Sequence, residues 1–422
     1  MLRHRDRSLK TLTLLLMGAA HGLHVGVNGP MMRDLGQQTG STLPQISLTI
    51  TASHVGWVIG SLTCGLCFSH LNFQVVAATL WTVVAVMHVL IPLSSHLWHV
   101  LLIYSVTGFA FGLFHTGQDA FVSTLWGRET LLFRIAITLV EGGSAAVSPM
   151  IVKPFLLPLV HHNDTLVLVP SLDDKHLLFP LSAIAFLMAA SSLFGFVIWI
   201  LFPVTTAHPS RNSGVSSKRE LLVLSSKWKP CLIFLSCVVI FMVKNTNVAM
   251  GNYIPVFASS SALQLSAGTG AQLTTCYMAA MAITRLAGMV YVPIIGFMTN
   301  FILSNVVLAI ACIVLLTAGQ MHESALWIGV VLIAVAPANH MSCLFSYLEQ
   351  MFPITGPISA CAGMTGMVGG IVTPILISQF VEKEPQSLIW FLCFLSALSA
   401  FAVFAIMFTV ARKCHTCKPD AN

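Results

Sequence analysis

The chain is a nearly unbroken succession of apolar segments of span length joined by short connections, and no other feature limits its fold so tightly. Crossing a bilayer takes about 20 predominantly apolar residues per helix, so 422 residues supply a dozen crossings with short links. Only 8% of the residues are charged against 56% hydrophobic ones, whereas soluble domains carry roughly a quarter charged residues. Together with a mean hydropathy of +0.87, this excludes a soluble fold and makes lipid the solvent. The basic start, Met1 to Lys10, runs into an apolar segment without a small-residue cleavage pattern, and it reads as the approach to a first span.

The expected fold class is all-α: a polytopic membrane protein of twelve transmembrane helices. Spans are expected near 11–32, 44–68, 74–94, 98–124, 131–152 and 177–202, then 230–257, 271–293, 301–319, 325–349, 357–380 and 387–411. The one long polar connection, rich in Ser and basic residues, divides the chain six plus six. This gives an N-terminal half 1–202, a cytosolic linker 203–229, a C-terminal half 230–411 and a cytosolic tail 412–422.

With both termini inside, 15 of the 20 Lys and Arg fall on the inner side, Arg285 among them, and Arg33, Lys153, Lys175 and Lys383 fall outside. That asymmetry follows the positive-inside rule and fixes an even span count. The single Asn-x-Ser/Thr sequon, Asn163-Asp164-Thr165, lies in a loop assigned outside, which makes Asn163 a candidate glycosylation site and a plasma-membrane location the expectation. No cysteine lies in an outer loop, so no disulfide framework is expected. The net charge of +6 does not point to nucleic acid, because the basic residues neither cluster with aromatics nor sit on a soluble domain.

One offset relates the two halves. Gly26 and Gly251, Pro30 and Pro255, His115 and His340, Pro149 and Pro374, and Phe155 and Phe380 are each 225 residues apart, and "SPMIVKPF" answers "TPILISQF". Two six-span repeats with a solute site at midplane between them are an arrangement of secondary transporters.

Ionisable groups in hydrocarbon are costly and face a cavity or a partner. Counted at 1.5 Å per residue, Glu141 lies near the centre of the fifth span and Lys244 near the centre of the seventh, where the two can pair across the halves. His21, His24 and Asn28 share one face of the first span, and His115, Gln118 and Asp119 share one of the fourth. His54 in the second span, Asn247 beside Lys244 in the seventh, and Asn339 with His340 in the tenth complete the candidate pathway. Neutral donors and acceptors of this kind suit a neutral polar solute, whereas a strongly anionic one calls for more intramembrane Arg or Lys. Sugar, polyol, urea and nucleoside remain open on these residues. No catalytic constellation and no metal-ligand set emerges: there is no phosphate loop, no His-Glu-x-x-His and no Gly-x-Ser-x-Gly elbow, so the chain reads as no enzyme and no ATP-driven pump.

The phrases "GVNGPMMRDL" from Gly26, "HTGQDAFVSTLWG" from His115, "SPMIVKPFL" from Ser148, "TRLAG" from Thr284 and "SYLEQMFPITG" from Ser346 resemble the major facilitator superfamily. Within it they resemble the sodium-dependent glucose transporter 1-like branch, also called major facilitator superfamily domain-containing protein 4. The resemblance implies twelve spans, alternating access and sodium-linked or facilitated movement of hexoses. The chain departs from the branch at Gln118-Asp119, where the acid is displaced, at Asn247, where relatives carry Glu, and at Lys244, an added cation. The expectation is a secondary-active or facilitative carrier of a small polar solute, a hexose or related sugar, working as a monomer without cofactor and coupled to sodium or protons. The alternative is a non-transporting sensor or receptor with a transporter fold.

Overall fold

The computed structural model describes residues 2–67, 72–162, 165–168, 176–203, 228–349, 351 and 356–414. Asn163 lies outside them, as do 204–227 of the linker and 415–422 of the tail. The helices are α1 (Leu2–Gln38), α2 (Leu43–Cys67), α3 (Phe73–Leu90), α4 (Leu97–Trp126), α5 (Thr130–Val152) and α6 (Leu178–Leu201), then α7 (Lys229–Ser260), α8 (Ala267–Ile295), α9 (Phe297–Thr317), α10 (Glu323–Val335), α11 (His340–Glu349), α12 (Gly356–Ile377) and α13 (Gln386–Cys414). Ten helical stretches among the described residues are long and apolar enough to cross a membrane, with α10 and α11 forming one of them. Large apolar side chains cover the outside, Leu66 at 81% exposure and Ile294 at 78% among them. A soluble monomer does not expose apolar surface on this scale, and the protein is an integral, multi-pass membrane protein.

The expected all-α class holds, with one short addition: β1 (Leu159–His162) and β2 (Thr165–Leu168) pair antiparallel, Leu159 opposite Leu168 and His162 opposite Thr165. Leu, Val and Thr runs flanking Asn-Asp favour such a pairing, and the glycosylation motif masks it in the sequence. Of the twelve spans expected, ten meet this length and hydropathy among the described residues; α1 carries polar and basic residues along its 37 residues, and Cys361–Ile377 of α12 is a shorter apolar run.

Glycines set how the helices pack. A side chain at Gly22 or Gly26 of α1 would strike the backbone carbonyls of Glu141 and Ala145 on α5, and Gly108 and Gly112 of α4 lie as close to the carbonyls of Ser53 and Trp57 on α2. Small residues permit this approach where lipid offers no hydrophobic drive. In the first set α1 packs most on α5, α2 on α4 and α3 on α6; in the second, α7 packs on α12, α13 and α8, and α9 on α10, with lighter α8–α10 and α9–α13 contacts. Between the sets, α1 meets α7, α2 meets α12 and α5 meets α8.

One end of the bundle is tied across these sets. There Arg33 donates to the hydroxyls of Ser259 (2.5 Å) and Ser260 (2.6 Å) and lies 3.6 Å from Glu382. Asp34 accepts from the backbone N–H of Leu157 (3.0 Å) and meets His176 (3.1 Å), while Gln38 donates to the carbonyls of Ile91 and Ser94. Residues of α1–α6 share one apolar core with Ala249–Ala258 of α7 and Leu273–Met281 of α8. At the opposite end Leu232, Val239, Phe301, Leu344 and Ile406 form a second core built from α7–α13 alone.

Candidate functional site

Midway along α1, α4 and α5 three polar atoms converge. His21 Nδ1 donates to Glu141 Oε1 at 2.9 Å, and His115 Nε2 lies 3.2 Å from the same His21 nitrogen. The carboxylate can only accept, so His21 carries its proton on Nδ1, and a neutral His115 turns its Nε2 lone pair to it. Gly22 makes the contact possible by letting α1 sink onto the backbone of Glu141. The Trp57 ring of α2 stacks on His115 with centroids 4.8 Å apart and 20° between planes, and Phe111 meets His21 edge-on at 4.5 Å. The ligand atoms of His21, His115 and Glu141 lie within 4.8 Å of one another, a set of two nitrogens and an oxygen that suits a proton or a borderline metal ion.

Across from this cluster stand two cations. Lys244 of α7 and Arg285 of α8 are half-buried. Neither forms an ion pair among the described residues, so the expected Glu141–Lys244 pair is replaced by Glu141–His21. Counting along a helix fixes depth but not direction, and a nearer donor takes the carboxylate. Nor does Arg285 sit with the loop cations: it lies inside the bundle and reaches the carbonyl of Ala338 at 3.4 Å. Asn247 accepts from the Tyr277 hydroxyl at 2.7 Å.

The glycine-rich phrase from Gly363 to Gly370 of α12 makes room for these polar groups. A Cβ at Gly366 would meet Lys244 Cγ at 2.9 Å, one at Gly369 would meet the Asn245 amide, and one at Gly370 would overlap the His54 ring. Asn245 in turn accepts from Thr373 of α12. His54 donates to the Ile50 carbonyl at 2.8 Å, and Thr51 to that of Ile371 at 3.1 Å, which binds α2 to α12.

Other sequence candidates lie apart from the cluster. His24 pairs with His88 of α3 (Nδ1 to Nε2, 2.8 Å), and His88 Nδ1 donates to the Val84 carbonyl. Asn28 accepts from Tyr104 at 3.0 Å. Asp119 is exposed and pairs with Arg134 at 3.2 Å, while Gln118 is buried. Asn339 donates to the Thr284 carbonyl and the Tyr291 hydroxyl, both at 3.0 Å, and His340 is buried against Phe301. Sequence reasoning passed over Trp57, His88 and Tyr277, and set Arg285 among the inner-side cations. Trp57 follows His54 by three residues on one helical face, a spacing that marks it.

No protein-family model matches the chain. It is 22% identical over 411 residues to sodium-dependent glucose transporter 1A of Mus musculus, covering 92% of this chain and 94% of that protein. Sodium-dependent glucose transporter 1 of Xenopus laevis is 20% identical, with 86% of this chain and 74% of that protein covered. Major facilitator superfamily domain-containing protein 4B of Danio rerio is 28% identical over 35% of this chain and 27% of its own length. Among solved structures, the nucleoside transporter NupG matches with a TM-score of 0.62 at 14% identity, covering 95% of this chain and 98% of that one. A bacterial homologue of the human lysosomal transporter Spinster, inward-facing and occupied, matches at 0.68 with 10% identity, covering 96% and 97%. The chain therefore has the fold of major-facilitator-like transporters, and in sequence it resembles the sodium-dependent glucose transporter 1 and major facilitator superfamily domain-containing 4 proteins.

Proposed function

We propose that the protein is a secondary carrier that moves a small polar solute by alternating access of two six-helix halves, and the observation that carries this is the polar centre of an otherwise apolar bundle. His21, His115, Glu141 and Trp57 face that centre from one half, and Lys244, Asn247 and Arg285 from the other. The neighbour pairs of α1–α6 recur in α7–α13 when α10 and α11 count as one span, which supports twelve spans in two related halves. The positive-inside count supports both termini in the cytosol and the Arg33 end outside. On that orientation the outer end is tied by Arg33, Ser259, Ser260 and Glu382, and the separate cores at the other end fit a conformation open to the cytosol.

The substrate class that the relatives' names bring is a hexose, and a ring stacked on Trp57 is one way to hold a sugar. For coupling, a proton suits the centre better than sodium. Histidine nitrogens are strong proton acceptors, whereas a hard cation takes oxygen ligands. Protonating Glu141 would free His21 and remove the one negative charge facing Lys244, which favours a different arrangement of the halves.

Purified protein in liposomes, tested with hexoses, polyols and urea while sodium and proton gradients are varied separately, decides the reading. Saturable uptake driven by a proton gradient is expected, with the gradient's effect abolished in Glu141→Gln. Accumulation that follows sodium alone, or a Glu141→Gln variant with an unchanged pH profile, would overturn the coupling. Absence of flux for every solute, with ligands still raising thermal stability, would favour a sensor.

A further inference from the structure

We propose that Lys244 and Arg285 form a binding site for the carboxylate of a small hydroxylated organic anion of the hydroxy-acid or sugar-acid class. The site itself rests on the side chains; only the claim that the anion is moved rests on the carrier reading above.

The two groups are unusual for the interior of a membrane bundle. Lys244 stands midway along α7, and its ammonium donates no hydrogen bond and forms no ion pair among the described residues. Arg285 makes two long contacts, Nε to the Ala338 carbonyl at 3.4 Å and Nη2 to Met281 Sδ at 3.6 Å, and neither partner is an acid. A guanidinium has five N–H donors, so most of this fork is unused. Cations at this depth are costly unless something compensates them, and the Asn247–Tyr277 hydrogen bond holds α7 against α8 one turn from Lys244.

The charge count identifies the missing partner. Among the described residues Glu141 is the acid at the middle of a span, and its oxygen is already engaged by His21. Two positive charges against one negative leave a single unit over. A monocarboxylate balances it, a phosphate dianion overshoots, and a neutral hexose leaves it uncompensated. The same surplus opposes a divalent metal at His21, His115 and Glu141, which otherwise have suitable donor atoms.

Shape agrees with charge. Guanidinium presents parallel N–H bonds that match a carboxylate bidentately, and ammonium adds a compact second charge. One turn along α7, Asn247 uses its carbonyl oxygen for Tyr277, and its amide N–H groups have no acceptor among the described residues. That leaves a donor for a hydroxyl of the solute beside the charge site. Gly366 leaves room for the Lys244 stem, since a Cβ there would lie 2.9 Å from Lys244 Cγ.

The test uses the full chain in detergent and in liposomes, with gluconate, glucuronate, lactate, inorganic phosphate, chloride and glucose as probes. Expected are stabilisation against thermal unfolding by a hydroxylated carboxylate, weakened about tenfold or more in Lys244→Gln and in Arg285→Gln as charge-assisted hydrogen bonds are lost. Arg285→Lys should keep the charge and recover part of the affinity. In liposomes the same carboxylate should exchange saturably and be competed by its class. Saturable glucose flux that no carboxylate competes would overturn the anion site while leaving the carrier reading intact. Carboxylate binding without flux of any solute would uphold the site and sink the carrier. Neither binding nor flux of any carboxylate, or preference for phosphate or chloride, would overturn the proposal. Should either Gln variant fail to fold, paired Lys244→Arg and Arg285→Lys variants decide through altered relative affinity for gluconate and glucose, which a purely structural role leaves unmoved.

Discussion

Gly370 shows how much of the site depends on residues without side chains. Its Cα faces the His54 ring, and even a methyl group there overlaps the imidazole. Gly370→Ala should destabilise the protein by about 1–3 kcal/mol through overpacking, read as a lower unfolding temperature in detergent. The penalty should vanish in a His54→Ala background; an equal penalty in both backgrounds would refute the contact. This dependence is hard to read in a sequence, where a run of glycines in an apolar span signals close packing without naming the partner. His21, His115 and Glu141 are legible one by one, because an ionisable group in an apolar segment stands out. Their convergence is not, since it needs the rotation of three helices about their axes. Arg285 was legible as a charge and misplaced in depth: it lies within the expected span 271–293, yet was counted with the inner-side cations.

The break between α10 and α11 is the clearest case in which an element departs from its hydropathy. Glu323 to Glu349 reads as one span, yet the helix is interrupted over Ala336–Asn339. Asn339 answers the interruption by donating to α8 at the Thr284 carbonyl and the Tyr291 hydroxyl, with Gly288 providing the room. Irregular backbone at membrane depth persists where such partners exist. Asn339→Ala removes both bonds and should cost about 1–3 kcal/mol, measured as thermal destabilisation, while Asn339→Asp should not restore it because the donor is lost. Equal stability of Asn339→Ala and the parent would show that the break holds without Asn339. Helices of this length were legible because lipid demands them; the hairpin at Leu159–Leu168 was not, because short β pairing leaves little trace beside spans of 20 or more residues.

At the scale of the molecule, the tie between α1 and the far set of helices rests on Arg33. Its two serine partners lie at the end of α7 and its acidic neighbour beyond α12. Arg33→Ala should weaken this closure and shift the balance toward the opposite opening by about tenfold or more, since hydrogen bonds to a charged group are worth about 1.5–3 kcal/mol each. Distance distributions between spin labels at Gln38 and Glu384 should broaden toward longer separations, and an unchanged distribution would deny Arg33 a gating part. The 225-residue offset makes two related halves an expectation of the sequence, whereas which end is tied is not legible there, because a sequence of this kind is compatible with every state it visits. The His24–His88 pair offers an internal reference for such motion. His88 Nδ1 gives its proton to the Val84 carbonyl, so its Nε2 must accept, and His24 must hold its proton on Nδ1. Nitrogen-15 resonances of both rings then carry a fixed tautomeric signature, and because α1 and α3 belong to the same half, that signature should stay constant while the halves rock, a built-in stationary marker against which moving groups can be timed.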